Sequence, residues 1–213
     1  TTVTIIPTPP ENATFAPTDV GKLLLIGQGA GVNLTLQTPI ATYISSTQVT
    51  VNDPCTNAGG VSNEDCYWGT NDTTAIQATI NAVKTQGRGT IRFQNQYLCM
   101  PDLDATKLAG VTIEGPRDSG NHFGGRIIMG TSPSGKCFID LSGAQRVIMR
   151  GINIHGNLST SSPTVGLLLG DVDGQDETIS VTLDNIIVSG PFQYSAVYMH
   201  GAVHVQCRDS YFA

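Results

Sequence analysis

Four segments of the chain carry nearly the same run of apolar and polar positions: Leu108–Gly115, Met149–Gly156, Leu183–Gly190 and Cys207–Ala213. Their third column holds Gly110, Gly151, Asn185 and Asp209, residue types that enter the left-handed backbone region at least cost. In each copy an apolar residue stands two positions before that corner. After it, apolar and polar residues mostly alternate, as in a half-buried strand. A strand, a one-residue corner and a second strand, recurring at intervals of 41, 34 and 24, predict the stacked layers of a solenoid.

The repeat extends upstream. Asp140–Met149 aligns without gaps on Tyr198–Cys207, matching Leu141 with Met199, Gly143 with Gly201 and Val147 with Val205. Between them, Gly166–Gly170 and Ile179–Leu183 make a third copy, in which Leu169 matches Leu141 and Leu183 matches Met149. That copy is six residues longer, at about 171–176. The pattern predicts three short strands per layer, with length variation confined to loops.

Ahead of the repeats, residues 1–18 are rich in Pro and Thr and predict an extended arm. Residues 19–70 predict a small β region, with strands in Lys22–Ile26, Asn33–Leu36 and Thr38–Val51, then a cysteine-flanked loop and the single Trp, Trp68. The third part, 71–213, opens with a helix over Thr73–Thr85. Asp72 suits its N-cap, Gly87 its stop, and Ile76, Ile80 and Val83 form one apolar stripe. Thr90–Phe93 and Tyr97–Cys99 follow as strands. A stack of layers bares an apolar interior at each end, so the helix is expected to cap the first layer. At the other end Ile186, Val188 and their neighbours are expected to await a further layer, from more chain or from another subunit.

Composition narrows the picture. Apolar residues are 39%, charged residues only 13%, and there are 24 Gly, which favours an all-β protein. A net charge of -6 argues against nonspecific nucleic-acid binding, which needs a basic face. No run approaches the ~20 apolar residues of a membrane-spanning helix. Cys55 and Cys66 flank a Gly/Asn/Ser-rich loop, a spacing suited to a local disulfide in an oxidising compartment; two free thiols are the alternative. Cys99 and Cys137 are a weaker second pair. Cys207 falls in the inward column and reads as a small core residue. Sequons at Asn12, Asn33, Asn71 and Asn157 agree faintly with an extracellular location.

Gly69–Ile80, followed by Gly87–Phe93 and Gly110–Gly115, resembles the opening of the pectate-lyase-like superfamily. There a "D-D-T-x-A-I-Q" helix caps the first coil and a "G-G-T-V-x-F-P" strand opens it. Here Asn71-Asp72 replaces the paired Asp, and Gln94 stands where Pro is usual. Asp19–Lys22, Gly29–Gly31 and Gln48–Val51 are similar to the small β region that precedes the helix in many phage and bacterial members. The resemblance covers roughly 19–213. It implies a right-handed parallel β-helix with an N-terminal capping helix and a small N-terminal β region. It also implies an extracellular protein of tailspike or secreted-depolymerase type that binds or degrades a polysaccharide or cell-surface glycan, and, for a tailspike, a homo-oligomer. The fold hosts many functions, so the alternative is a non-enzymatic structural subunit of a fibre or virion appendage, packed side by side or coil end to coil end.

Polysaccharide hydrolysis needs two carboxylates facing one groove, and uronate elimination a base and a cation. Arg150, Asp184 and Arg208 share one column, which predicts a structural Arg–Asp–Arg ladder; Asp209 in the corner column serves the backbone. Glu114, His155 and Ser189 share another, where His155 beside Glu114 is a candidate acid–base pair but more often a surface hydrogen bond. His200 and His204 read as surface residues on strands. Asp171, Asp173 and Asp176, in the inserted loop, are calcium candidates without the full EF-hand spacing; a solvated acidic loop is the plainer reading. These residues hold no lyase or polygalacturonase motif, and no catalytic set is identified. Aromatics, which usually form sugar platforms, are only 6%.

Overall fold

The computed structural model describes residues 2–5, 13–27, 36–53, 66–116, 125–130, 136–156, 165–170, 177–190, 192 and 194–213. Strands β1 (Thr2–Thr4), β2 (Leu23–Ile26), β3 (Leu36–Ser45), β4 (Gln48–Val51) and β5 (Cys66–Gly69) form one antiparallel sheet in the order β1-β4-β3-β2-β5. Thr38–Val51 is thus a hairpin turning at Ser46 and Thr47, and Thr2–Thr4 is an edge strand on β4. Val3, Phe15, Leu24, Ile40 and Val49 fill this sheet's own core. The carboxylate of Asp19 ties it together by accepting from the Ala16 amide (2.8 Å), Lys22 (2.7 Å) and the Trp68 indole (3.1 Å). Burial alone would push that carboxyl up; Lys22, the Ala16 amide and Trp68 outweigh it and hold it below the usual carboxylate range.

The single α-helix among the described residues, α1 (Thr73–Gln86), follows. Gly87 ends it in left-handed conformation (φ 68). Asp72 holds the N-cap position without capping by its side chain. The Asn71 Oδ1 instead accepts from the Thr73 amide (3.1 Å), which frees the Asp72 carboxylate to accept from the Leu98 amide (3.4 Å).

Then come β6 (Gly89–Arg92), β7 (Gln96–Cys99), β8 (Leu103–Asp104), β9 (Val111–Glu114), β10 (Gly125–Met129), β11 (Cys137–Asp140), β12 (Gln145–Arg150), β13 (Ile152–Gly156), β14 (Val165–Leu169), β15 (Thr178–Asp184), β16 (Ile187–Ser189), β17 (Ser195–Met199), β18 (Ala202–Val203), β19 (Gln206–Arg208) and β20 (Tyr211–Phe212). They build three parallel sheets, β6-β9-β12-β15 with β18 and β19 both on β15, β7-β10-β13-β16-β20, and β8-β11-β14-β17. From β6 to β15 each strand pairs with the strand three places on, and β16 pairs with β20. The protein is therefore all-β with parallel sheets, with one α-helix among the described residues. Apolar side chains of all three sheets, from Ile91 and Leu103 to Leu183 and Val188, meet in one core that also takes Ile76, Ile80 and Val83 of α1.

Register confirms most of the predicted columns and corrects one. Met149 pairs with Leu183 and Leu183 with Cys207, while Leu169 pairs with Met199. The copy Leu108–Gly115, however, belongs one strand earlier than its look-alikes. Ile113 pairs with Met149, and Glu114 with Arg150, so β9 lies on β12 and not on β13. Two left-handed corner columns result. One contains Gly151, Asn185 and Asp209 (φ 63, 52 and 46), the other Gly110, Arg146, Ser180 and His204 (φ 62, 53, 57 and 58). Beside Gly151 stands Gly115, where a Cβ would lie 1.9 Å from the Gly151 carbonyl oxygen.

The two ends of the parallel sheets differ. At the β6–β8 end, polar groups around the start of α1 occupy the edges of β7 and β8. Gln77 acts as a detached peptide group: its Nε2 donates to the Asp104 carbonyl and its Oε1 accepts from the Asp104 amide, both at 2.9 Å. The Asp72 amide donates to the Leu98 carbonyl (2.8 Å) and the Thr73 hydroxyl accepts from the Met100 amide (2.7 Å). At the other end β17, β18, β19 and β20 are each paired on one side only among the described residues. Ile186 and Val188, expected to await a layer, are fully buried, because β20 lies on β16. The inward positions without cover are Met199, 45% exposed, and Cys207, exposed and so not the core residue its column predicted.

Candidate functional site

The Arg–Asp–Arg column extends further than its three members. Register places Arg92, Glu114, Arg150, Asp184 and Arg208 on successive strands of one sheet, with alternating charge throughout. Neighbouring rungs are roughly 5 Å apart. The contacts concentrate at the β6 end. Arg92 Nε donates to Glu114 Oε1 (2.6 Å), and Arg150 Nε (2.9 Å) and Nη2 donate to Oε2. These hydrogen bonds, from Arg150 first and Arg92 second, hold the Glu114 carboxyl below its ordinary range. A carboxylate so clamped keeps its negative charge and is a poor proton donor. Asp184 makes no ion pair among the described residues. Beside the clamp lies a recess of about 410 Å³ lined by Arg92, Phe93, Glu114, Pro116 and Arg150. That is within the size range of small-ligand sites.

The expected Glu114–His155 pair does not form, because the two lie in different sheets. His155 pairs in register with Ser189, and its Nδ1 is 2.9 Å from the Ser189 hydroxyl. The Tyr67 ring meets it edge-on at 6.2 Å, bringing β5 against the parallel sheets, and Arg126 lies over the same ring at 5.3 Å. Asp209 occupies a left-handed corner, as its column predicted.

Sequence reasoning missed an aromatic strip beside β17. Tyr194 and Tyr198 meet edge to face at 5.7 Å, and His200 stacks on Tyr198 at 6.4 Å with the planes 16° apart. Tyr194 is 73% exposed. Tyr198 packs on Cys137, Val165 and Leu168, a cluster separate from the shared core, so the strip stands outside that core. A signal existed: Tyr198 and His200 are two positions apart, the spacing that puts side chains on one face of a strand. Tyr194 lies before the strand, where periodicity is silent. His200 and His204 are exposed, as expected.

The calcium candidates Asp171, Asp173 and Asp176 lie outside the described residues, as does Cys55, the expected partner of Cys66. No group of three or more His, Cys, Asp or Glu is placed to hold a metal ion among the described residues. Cys99 and Cys137 are not joined to each other; both are buried thiols. Burial pushes Cys99 up to about 11 and raises Cys137 as well, which keeps both protonated and unreactive. No helix among the described residues is long and apolar enough to cross a membrane. Compared with family models, with curated proteins and with solved structures, the chain matches none.

Proposed function

We propose that this chain is a right-handed parallel β-helix of the pectate-lyase-like kind, that it works outside the cell, and that it binds carbohydrate. The three-strand cadence of the parallel sheets supports the coil, and right-handed crossovers are the rule between parallel strands. The Asn71–Gln77 motif supports the kinship, since its Gln77 closes a strand edge. The observation that carries the sugar reading is the strip of Tyr194, Tyr198 and His200. The exposed Tyr194 ring and the stacked Tyr198–His200 pair offer amphipathic ring faces of the kind on which sugar rings stack. Degradation of the bound glycan would need a catalytic pair that the clamped Glu114 does not supply. The test is binding of the intact chain to a panel of immobilised polysaccharides. Tyr194→Ala and Tyr198→Ala should each weaken retention by about three- to tenfold with the melting transition little changed for Tyr194→Ala. Retention by no member of the panel sinks the reading, and full retention by both variants moves the sugar face elsewhere.

A structural subunit of a fibre or virion appendage is the second reading, favoured by the unpaired edges of β17 to β20. Light scattering separates the two: assemblies that grow with concentration in the absence of glycan favour the subunit.

A further inference from the structure

We propose that the outward face of the sheet β6-β9-β12-β15 is the interface of a closed two-fold dimer, in which Arg92 of each copy meets Asp184 of the other. The inference rests on this face alone. It stands apart from the carbohydrate reading, and a closed pair, unlike a fibre, stops at two copies.

Three observations carry it. The first is exposure. Ile91, Ile113, Met149 and Leu183 enter the shared core, so alternation turns Arg92, Glu114, Arg150 and Asp184 to the opposite face. Two residues before them, register lines up Thr90, Thr112, Ile148 and Thr182 on that same face. None of these outward residues is buried, and Ile148 is 40% exposed. The second is an unanswered charge. Asp184 lies in register between Arg150 and Arg208, yet it makes no ion pair among the described residues, because Arg150 turns to Glu114 and Arg208 to Gln206. At the far end of the row the Arg92 side chain is 67% exposed, and it gives only its Nε to Glu114.

The third observation is the order of the charges, which is self-complementary. A two-fold axis along the strands, passing between Glu114 and Arg150, lays the row on its own reverse. Arg92 then faces Asp184 twice, Glu114 faces Arg150 twice, and Ile148 faces Thr112. Every charge meets its opposite, across the roughly 10 Å gap of packed sheets that an Arg side chain spans. Centring the axis on any rung sets like charge against like, and so does an axis running along the row. Placing it between Arg150 and Asp184 matches Asp184 with Arg150, whose Nε and Nη2 already serve Glu114.

The test is sedimentation equilibrium of the chain at low salt. It should pass from monomer to dimer with concentration and stop there, and added salt should weaken the pair. Arg92→Glu and Asp184→Lys should each dimerise about tenfold or more weakly, since like charges then meet twice. Mixed in equal amounts, the two variants should pair within about threefold of the unchanged chain, because each supplies the charge that the other lacks. Ile148→Lys, which leaves the charged row intact, should abolish the dimer. A chain that stays monomeric or grows beyond two overturns the proposal. So do charge variants that dimerise as the unchanged chain does, or a mixture that fails to pair although both variants keep its melting transition. Should a charge variant fail to fold, an undiminished dimer of Ile148→Lys overturns it equally.

Discussion

The two ends of the parallel sheets begin from the same problem and finish differently. At the β6–β8 end, strand edges that would lack partners meet the Gln77 amide, the Thr73 hydroxyl and the Asp72 amide, while Ile76, Ile80 and Val83 cover the apolar interior. At the β17–β20 end no described residue performs either service. The consequence is visible within a single column: Leu141 and Leu169 are wholly buried, and Met199, next in line, is 45% exposed. Burial here belongs to the position in the stack and not to the residue type. Closing an edge takes polar side chains that imitate a peptide group as well as apolar cover, and one helix supplies both.

That comparison can be broken deliberately. The largest effect is expected at Gly115, deep in the stack, where an added Cβ would lie 1.9 Å from the Gly151 carbonyl oxygen. Gly115→Ala should cost about 3 kcal/mol in urea unfolding. Gly170→Ala meets an even shorter approach, 1.6 Å to the His200 carbonyl oxygen, and a φ of 97. Its cost should be lower, about 2 kcal/mol, because His200 follows an edge strand that has room to shift. A larger loss at Gly170 would mean that the open end is as rigid as the interior.

Next comes the apolar cover. Ile80, 3% exposed in α1, should lose about 3 kcal/mol on truncation to Ala, whereas Met199→Ala should lose less than about 0.5 kcal/mol. Equal losses would show that the uncovered end is buried in solution. Gln77→Ala strands both the amide and the carbonyl of Asp104, and about 1–2 kcal/mol should follow. Hydrogen exchange at Asp104 should rise in the same variant while exchange at β15 stays unchanged.

The gentlest probe is pH. Glu114 has its carboxyl held below the ordinary value of 4.5 by Arg150 and Arg92. A depressed carboxyl contributes stability that is complete above its unfolded-state value and is lost as pH falls through the folded one. Glu114→Gln should therefore flatten the acid limb of the stability curve below pH 4.5 and leave its dependence at neutral pH alone. An acid limb unchanged in the variant would remove the clamp from the account of this face.

Much of the parallel region was legible in the sequence because inward columns and left-handed corners recur. The matches of Met149 with Leu183 and of Leu169 with Met199 follow from alternation and from the preference of Gly and Asn for the corner. The misplacement of Leu108–Gly115 has a physical cause. Val111-Thr-Ile-Glu114 and Ile152-Asn-Ile-His155 alternate alike and each follows a Gly in left-handed conformation, yet they belong to different sheets. A period of two does not say which sheet a strand joins; pairing does, and it joined Glu114 to Arg150 rather than to His155. Arg146, Ser180 and His204 hid the second corner column, since none of them announces a positive φ. The Tyr194–Tyr198–His200 strip stayed hidden because one ring comes from a turn.

The cadence of three has a mechanical meaning. Were the strands wound as the proposed coil, a pull on the chain would load the rungs in series instead of shearing a whole sheet at once. Slack would be released in portions set by the intervals between matched rungs: 24, 34, 36 and 22 residues, read from the open end towards the helix. At about 3.5 Å per residue, each portion differs enough in contour length to be told apart in a single-molecule trace. The capped end, with Gln77 clipped to β8, would be the last to let go.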